Sequence, residues 1–522
     1  MSLITLKFFI YIAIVAVTYY VCVAKYRWVV LFCANMGFFL SSSDGLQGKE
    51  RLGLLCVFIV MTLVTWIAAI GIKKITSEKI CKLITVVTIV ALLFTLIAYK
   101  ETAFFITNAG LLERFTGLSL GFAAPDWSAP LGISYFTLIL IGYLLDVRWG
   151  HIPEPQKNPL KMLAFTGYFP HMVSGPFTRY NDVKDTLFSE IQFRFKNIWF
   201  GIQRIIWGVF KVLVISTRLS VIVENIYDVQ LLPTEQNHLT GFVIIAGALL
   251  YVLNVYMNFS GSMDIVIGVS EIFGIPLAEN FKRPFAATSL SEVWRRWHIT
   301  LGLWLKDYVM YPTQKGLTSK FGKKSKQVFG KKAGKDIILY VSMLVVWFGV
   351  GFWHGGAWKF IFGSGLFFFV MIVGGLLLTP LFNKLIACLQ INTETRSWRW
   401  FQRIRTVLLF SFSVSFGRAA SLTVGLQMWK SAFTGLVDNF NNAPITIAKQ
   451  MCSGLKLQDL MLIIIPLVIV FTIHHLQEKH GSIRSGLCKH KILNVILIFL
   501  LLSFTLWFGG MDGKIDFIYG NF

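Results

Sequence analysis

Apolar runs long enough to cross a bilayer recur along this chain, and the turns between them collect lysine and arginine. The run from Leu52 to Ile72 holds no charge and is bracketed by Arg51 and by Lys73 and Lys74. In lipid such a run has to satisfy its own backbone, which only a helix does within one segment. Composition agrees: 14% of the 522 residues are charged, against about 25% in soluble domains. A soluble globule is therefore the wrong class. The net charge of +23 would suggest nucleic acid in a soluble protein. Here the basic residues lie in loops, the pattern of an inner membrane surface and of affinity for anionic lipid. Membrane lipid is expected as a partner and nucleic acid is not.

The pattern predicts an all-α, polytopic fold of about ten or eleven transmembrane helices with re-entrant and interfacial pieces. The run ending at Val23 has no small-residue cleavage site and reads as a retained first helix. Basic turns after residues 23 and 72 place the N-terminus outside, and the basic segment HHLQEKHGSIRSGLCKHK, read as an inner loop before the last run, places the C-terminus outside. Residues 100–130 are expected along the outer interface or as a short half-helix. The apolar run from Gly241 should end near Phe259, in NFSGSMDIVIG. Residues 313–335 hold eight lysines and no acid and read as an inner loop, lipid-facing or disordered. Residues 384–405 suggest an interfacial helix, and 407–432 a further span. Seven scattered cysteines, without CxxC pairs, read as plain buried thiols. No internal repeat is visible. The domain division is 1–99, N-terminal helices; 100–380, core; 381–510, C-terminal helices; and 511–522, an outer tail.

Ionisable side chains inside apolar sequence are costly and so become functional candidates. His354 is followed by Gly355 and Gly356, which permit close approach of backbone or ligand. A neutral imidazole in a dry site can take a proton from a hydroxyl, and an interhelical hydrogen bond is the equally weighted alternative. His298 lies between Arg295–Arg296 and Lys306–Asp307. The two arginines suit a phosphate or snorkel to headgroups. Asp264 is the acid deepest in apolar sequence and is expected to pair with an arginine or to hold a histidine. His474, His475 and His480 lie in a basic stretch, a poor setting for a metal, so no metal is expected. Phosphate loops, GxSxG and HExxH are absent, which argues against an ATPase, a serine hydrolase and a zinc protease.

WRRWHITLGLWLKDYVMYP at 294–312 and FWHGGAW at 352–358 resemble the paired histidine motifs of the membrane-bound O-acyltransferases (MBOAT). They are most similar to the bacterial branch of alginate O-acetylation and teichoic-acid D-alanylation proteins. GISYFTLILIGYLLDV at 132–147, FPHMVSGPFTRY at 169–180, NFSGSMDIVIG at 258–268 and LAENFKRPF at 277–285 agree. The resemblance covers roughly residues 100–380.

It implies a central tunnel, a cytoplasmic thioester donor, and an acceptor hydroxyl from outside. His354 matches the catalytic histidine and His298 the second one. Asn280, Arg295, Arg296, Asp307, Trp353 and Asp264 are expected to support them. The tail DFIYGNF resembles a C-terminal motif of this branch, which makes Tyr519 a candidate acyl relay; docking of the tail in the outer funnel is the alternative. The expected activity is O-acetylation of an extracellular cell-envelope polysaccharide from acetyl-CoA, in the cytoplasmic membrane of a bacterium. The expected partner is an SGNH-type, AlgJ-like acyltransferase outside that membrane. A carrier-dependent D-alanyl transferase for teichoic acids and a non-catalytic flippase or transporter remain the rivals.

Overall fold

The computed structural model describes residues 3–41, 48–117, 128–172, 174–229, 241–435 and 444–509. The helices that matter, in chain order, are α1 (Leu6–Val21), α2 (Arg27–Ser41), α3 (Gly48–Lys74), α4 (Glu78–Gly110), α5 (Ile133–Trp149), α6 (Pro159–Thr166), α7 (Phe195–Tyr227), α8 (Phe242–Ile272), α9 (Ile299–Leu305), α10 (Tyr311–Phe329), α11 (Ala333–Trp353), α12 (Trp358–Cys388), α13 (Arg396–Ser415), α14 (Leu422–Thr434), α15 (Leu457–His480) and α16 (Lys491–Phe508). Among the described residues, the one β-contact is an isolated bridge, Phe281 to Trp297. The all-α polytopic reading holds.

Eight helices among the described residues are long and apolar enough to cross a membrane: α3, α4, α7, α8, α11, α12, α15 and α16. Ten or eleven were expected. The shortfall has local causes. The apolar stretch 160–172 is cut at Gly167, before Pro170, into α6 and a one-turn helix, Phe169–Met172. Asn35 bridges the cut, donating to the Ala164 carbonyl at 3.0 Å and accepting from the Phe169 N–H at 2.9 Å. The span expected at 407–432 is broken between α13 and α14. There Ser421 caps α14 by accepting from Val424 N–H at 3.2 Å.

The described residues form two compact units, 3–208 with 262–279, and 209–261 with 280–509. Helices α7 and α8 each run from one into the other. In the first unit, α5 is buried on nearly every face, as a helix apolar all round must be. The start of α7 meets the end of α8 at Gly201 and Gly268. A Cβ at Gly201 would stand 2.5 Å from the Gly268 carbonyl, so only glycine allows this approach.

Helix α8 does not stop at Phe259. It runs 31 residues, roughly 46 Å at the usual rise, straight through the polar NFSGSMD stretch. Tertiary partners override the local preference. Lys211 reaches Ser260 at 3.0 Å, Ser216 bonds Asn254 at 2.6 Å, and Tyr168 meets Ser270 at 2.9 Å. In the second unit, Arg218 on α7 binds Asp459 on α15 at 3.0 Å and the Phe508 carbonyl of α16 at 2.7 Å.

Other expectations are corrected. Helix α4 continues through a π-turn at Ile97–Glu101 as far as Gly110, so the start of residues 100–130 extends a long helix. The lysine-rich stretch is not a loop: most of it is helix α10, with Lys315, Lys320, Lys323, Lys324 and Lys326 all exposed. Lysine is a good helix former, and Ser325 ties the helix to the start of α11 through the Gly334 carbonyl at 2.9 Å. Lys384 still belongs to α12, while Arg396, Arg399, Arg403 and Arg405 open α13. His474, His475 and His480 end α15 instead of lying in a loop. Cys33, Cys56 and Cys388 are exposed and Cys81 is buried, so buried thiols are not the rule. Cys56 and Cys388 lie on helices whose outer faces also expose large apolar side chains such as Leu52, Val64 and Leu385.

Candidate functional site

Helix α11 ends at His354, whose own N–H still bonds the Val350 carbonyl at 3.1 Å. The chain then reverses through Gly355 (φ 147°) and Gly356 (φ 49°) before α12 begins. Both conformations favour glycine. A Cβ at Gly355 would also lie 2.8 Å from the Phe360 ring. The WHGGAW sequence therefore makes a tight reversal that presents His354, 7% exposed, at the helix end.

His298 is presented differently. Residues 280–282 run antiparallel to residues 296–299, joined by Lys282 N–H to Arg296 carbonyl at 2.8 Å and Ile299 N–H to Asn280 carbonyl at 3.1 Å. His298 then takes the left-handed conformation (φ 48°, ψ 49°) and caps α9. A non-glycine residue there is strained, and such strain gathers at functional sites. The ring is 1% exposed.

Asn280 sets its tautomer. The amide Oδ1 accepts from Thr300 N–H at 3.0 Å and from Thr300 Oγ1 at 2.7 Å, so this atom is the acceptor. It faces His298 Nδ1 at 3.4 Å. Nδ1 therefore carries the proton, and Nε2 keeps the lone pair. Burial, with the neighbouring His354 second, pushes the His298 imidazole well below its usual range, so it is neutral.

Trp353 joins the two imidazoles. Its ring centroid lies 6.1 Å from that of His298 and 5.0 Å from that of His354. Phe259 closes on His298 from another side at 5.0 Å. The result is two buried histidines between aromatic walls, a setting for proton transfer without bulk water. Thus His298, His354, Trp353 and Asn280 are brought together.

The remaining residues are placed elsewhere. Arg296 binds Glu292 at 2.8 Å and Glu478 at 3.2 Å, and Arg283 also pairs with Glu478. Arg295 is exposed. Asp307 is half-buried in the π-turn Lys306–Met310. Asp264 takes the first of its two expected roles, pairing with Arg204 at 3.0 Å. Arg204 also reaches Glu271 at 3.4 Å and Glu279 at 2.5 Å. Asp264 and Glu271 lie two helical turns apart on one face, a spacing visible in the sequence; Arg204 was the unseen centre. Tyr519 lies outside the described residues. His474 meets the Tyr256 hydroxyl at 3.3 Å. Among the described residues no three His, Cys, Asp or Glu side chains converge as a metal site.

Curated relatives carry related names. The chain is 26% identical over 358 residues to the "Probable alginate O-acetylase AlgI" of Azotobacter vinelandii, covering 68% of this chain and 64% of that protein. It is 29% identical over 292 residues to the "Peptidoglycan O-acetyltransferase" of Helicobacter pylori, covering 50% of each. It is 29% identical over 236 residues to the "Teichoic acid D-alanyltransferase" of Bacillus subtilis, covering 44% of this chain and 55% of that protein. The chain thus matches less than two thirds of the length of each of these three relatives. The profile of the membrane-bound O-acyltransferase family matches residues 155–417, just over half of the chain, and takes in both histidines. This multi-pass, all-α protein belongs to the membrane-bound O-acyltransferase family.

Proposed function

We propose that this protein transfers an acetyl group from a cytoplasmic thioester, acetyl-CoA, to a hydroxyl of an extracellular cell-envelope polysaccharide. The observation that carries the reading is the His298–Trp353–His354 cluster: two buried imidazoles flank one indole, and Asn280 fixes the tautomer of the first. The names of the O-acetylating relatives support the acetyl group and a polysaccharide or peptidoglycan acceptor.

His354 takes the proton of the attacking hydroxyl. The hydroxyl oxygen bonds to the acetyl carbonyl carbon, the carbon–sulfur bond breaks, and the proton passes from the imidazolium to the leaving thiolate. The products are an O-acetyl ester and a free thiol. His298, with its Nε2 lone pair free of the proton, accepts from the incoming hydroxyl and orients it. Asp264 and Arg296 act through their ion pairs, holding elements in place. Arg295, exposed, meets a phosphate of the donor. Tyr519 is the first acceptor, so the same exchange occurs twice: thioester to tyrosyl ester, then tyrosyl ester to the polymer or to an SGNH-type partner outside. The protein works in the bacterial cytoplasmic membrane with both termini outside.

A second reading, D-alanyl transfer from a carrier-bound thioester, is favoured by the similarity to the Bacillus subtilis D-alanyltransferase. The deciding experiment is mass analysis of the C-terminal peptide after incubation with acetyl-CoA. One acetyl on Tyr519, lost in Tyr519→Phe and in His354→Ala, supports donor, relay and base together. An unlabelled tyrosine removes the relay, and labelling by a D-alanyl carrier thioester alone replaces the donor.

A further inference from the structure

Among the described residues three non-glycine positions have a positive φ, and two of them, Arg283 and His298, sit on the two arms of one loop. Arg283 (φ 48°, ψ 62°) directly follows the arm 280–282, and His298 lies in the arm 296–299. Such strain persists only where surrounding contacts over-determine the backbone. Asn280 and Thr300 hold the His298 end. The Arg283 end is held from a distant part of the chain, the last turns of α15.

Phe471, His474 and Glu478 share one face of α15. Phe471 packs on Phe285 at 5.9 Å between ring centroids. His474 Nδ1 lies 3.3 Å from the Tyr256 hydroxyl, and the Tyr256 ring lies 5.1 Å from Phe285 and 5.8 Å from Trp297. One carboxylate oxygen of Glu478 pairs with Arg283, and the other with Arg296 at 3.2 Å. Arg296 also donates to the Lys282 carbonyl at 3.2 Å and is held by Glu292 at 2.8 Å. One carboxylate therefore joins both arms. Arg283 and Arg296 lie near enough to repel each other, and Arg403 adds to the repulsion on Arg283. Without Glu478 that repulsion acts to part the arms beside His298. These ion pairs are partly exposed, so they contribute little to the stability of the fold. Their geometry matters more, because misplacing a reacting group by about 1 Å can cost roughly 10²-fold in rate.

We propose that Glu478 is a positioning residue: by holding Arg283 and Arg296 on one carboxylate, it keeps the two arms closed and His298 in place for transfer. The kinetic part of this rests on the acyltransferase reading; the placement of His298 does not.

The test uses the full-length, detergent-purified protein and two readouts. One is acetyl transfer from acetyl-CoA, resolved into kcat and KM. The other is the rate at which diethyl pyrocarbonate modifies His298, followed by mass spectrometry of its peptide, with exposed His490 as internal reference. Glu478→Gln is expected to lower kcat about tenfold with KM little changed. It should raise the His298 modification rate several-fold against that of His490 and leave thermal unfolding close to the wild type. Glu478→Asp keeps the charge and should restore much of both. Adding Arg283→Glu to Glu478→Arg should recover part of what Glu478→Arg alone loses. Unchanged modification of His298 in Glu478→Gln overturns the proposal whatever the rate does. So does a wild-type kcat, or a loss carried by KM alone, which assigns Glu478 to donor binding. A parallel rise at every histidine marks general loosening and overturns it too. Should Glu478→Gln fail to fold, Arg283→Gln is read in its place by the same outcomes. Should the wild type transfer no acetyl, the modification rates still decide the placement of His298, and that failure counts against the enzyme reading alone.

Discussion

Arg204 and His298 are both buried polar side chains in apolar surroundings, yet they are built on opposite plans. Arg204, in the first unit, is surrounded by three carboxylates, Asp264, Glu271 and Glu279. Charge meets charge there, and the guanidinium has fixed work to do. His298, in the second unit, is neutral. Its walls include the rings of Phe259 and Trp353, and an amide, Asn280, faces its Nδ1. A closed ion network is stiff and costly to disturb; a neutral imidazole with a lone pair can accept a proton and give it back. The first arrangement is suited to holding helices, the second to chemistry.

The largest effect should come from the histidine cluster. His354→Ala is expected to lower acetyl transfer by about 10²–10⁴-fold while size-exclusion and thermal profiles stay those of the wild type. Activity within a factor of a few of wild type would take His354 out of the mechanism. The Arg204 network should answer in the opposite sense. Arg204→Met leaves three carboxylates facing one another and is expected to cost about 3–5 kcal/mol of stability. Thermal unfolding in detergent checks this. Adding Asp264→Asn to that variant should recover part of the loss, since the two changes share one network. If Arg204→Met melts like the wild type, the contrast between the two centres fails.

How far each centre could be read in the sequence follows from the same contrast. The His354 turn is local: the helix end, the two glycines and the return lie within one short motif, and the structure reproduces it. His298 needed Asn280, eighteen positions away, which entered only through the family resemblance and not through spacing. Arg204 stands in the sequence as a single charge inside an apolar helical pattern. Its partners come from α8 and the segment after it, and nothing local announces such a meeting. The same reason explains the missed continuation of α8. The NFSGSMD stretch looks like a break until Lys211 and Arg204 arrive to satisfy Ser260 and Asp264. In α10 the error ran the other way, since eight lysines indicate where a segment lies and not whether it is helical.

A subtler test asks whether Asn280 only supports the backbone or sets the state of His298. Asn280→Asp keeps the shape and adds a negative charge beside Nδ1. That charge favours imidazolium, so His298 would bind its second proton at a higher pH than in the wild type. Nε2 then becomes a donor and can no longer accept from the hydroxyl. The acid limb of the rate profile should move to higher pH. Asn280→Ala, which adds no charge, should lower the rate without moving the limb. An unmoved limb in Asn280→Asp would mean that His298 does not titrate in the working range and acts only by shape.

The smallest effect should come from the turn that carries His354. Gly356 sits at φ 49°, where an L-residue pays about 1–2 kcal/mol. Gly356→Ala should therefore lower the melting temperature a little and transfer modestly, far less than His354→Ala does. Asparagine tolerates this conformation better than alanine, so Gly356→Asn should stand between alanine and the wild type. That ordering separates two roles of the turn. If transfer follows stability across glycine, asparagine and alanine, the turn only places the helix end. If transfer collapses while the melting temperature barely changes, the backbone at Gly356 itself lies against a reacting group, as close approach without a side chain would allow.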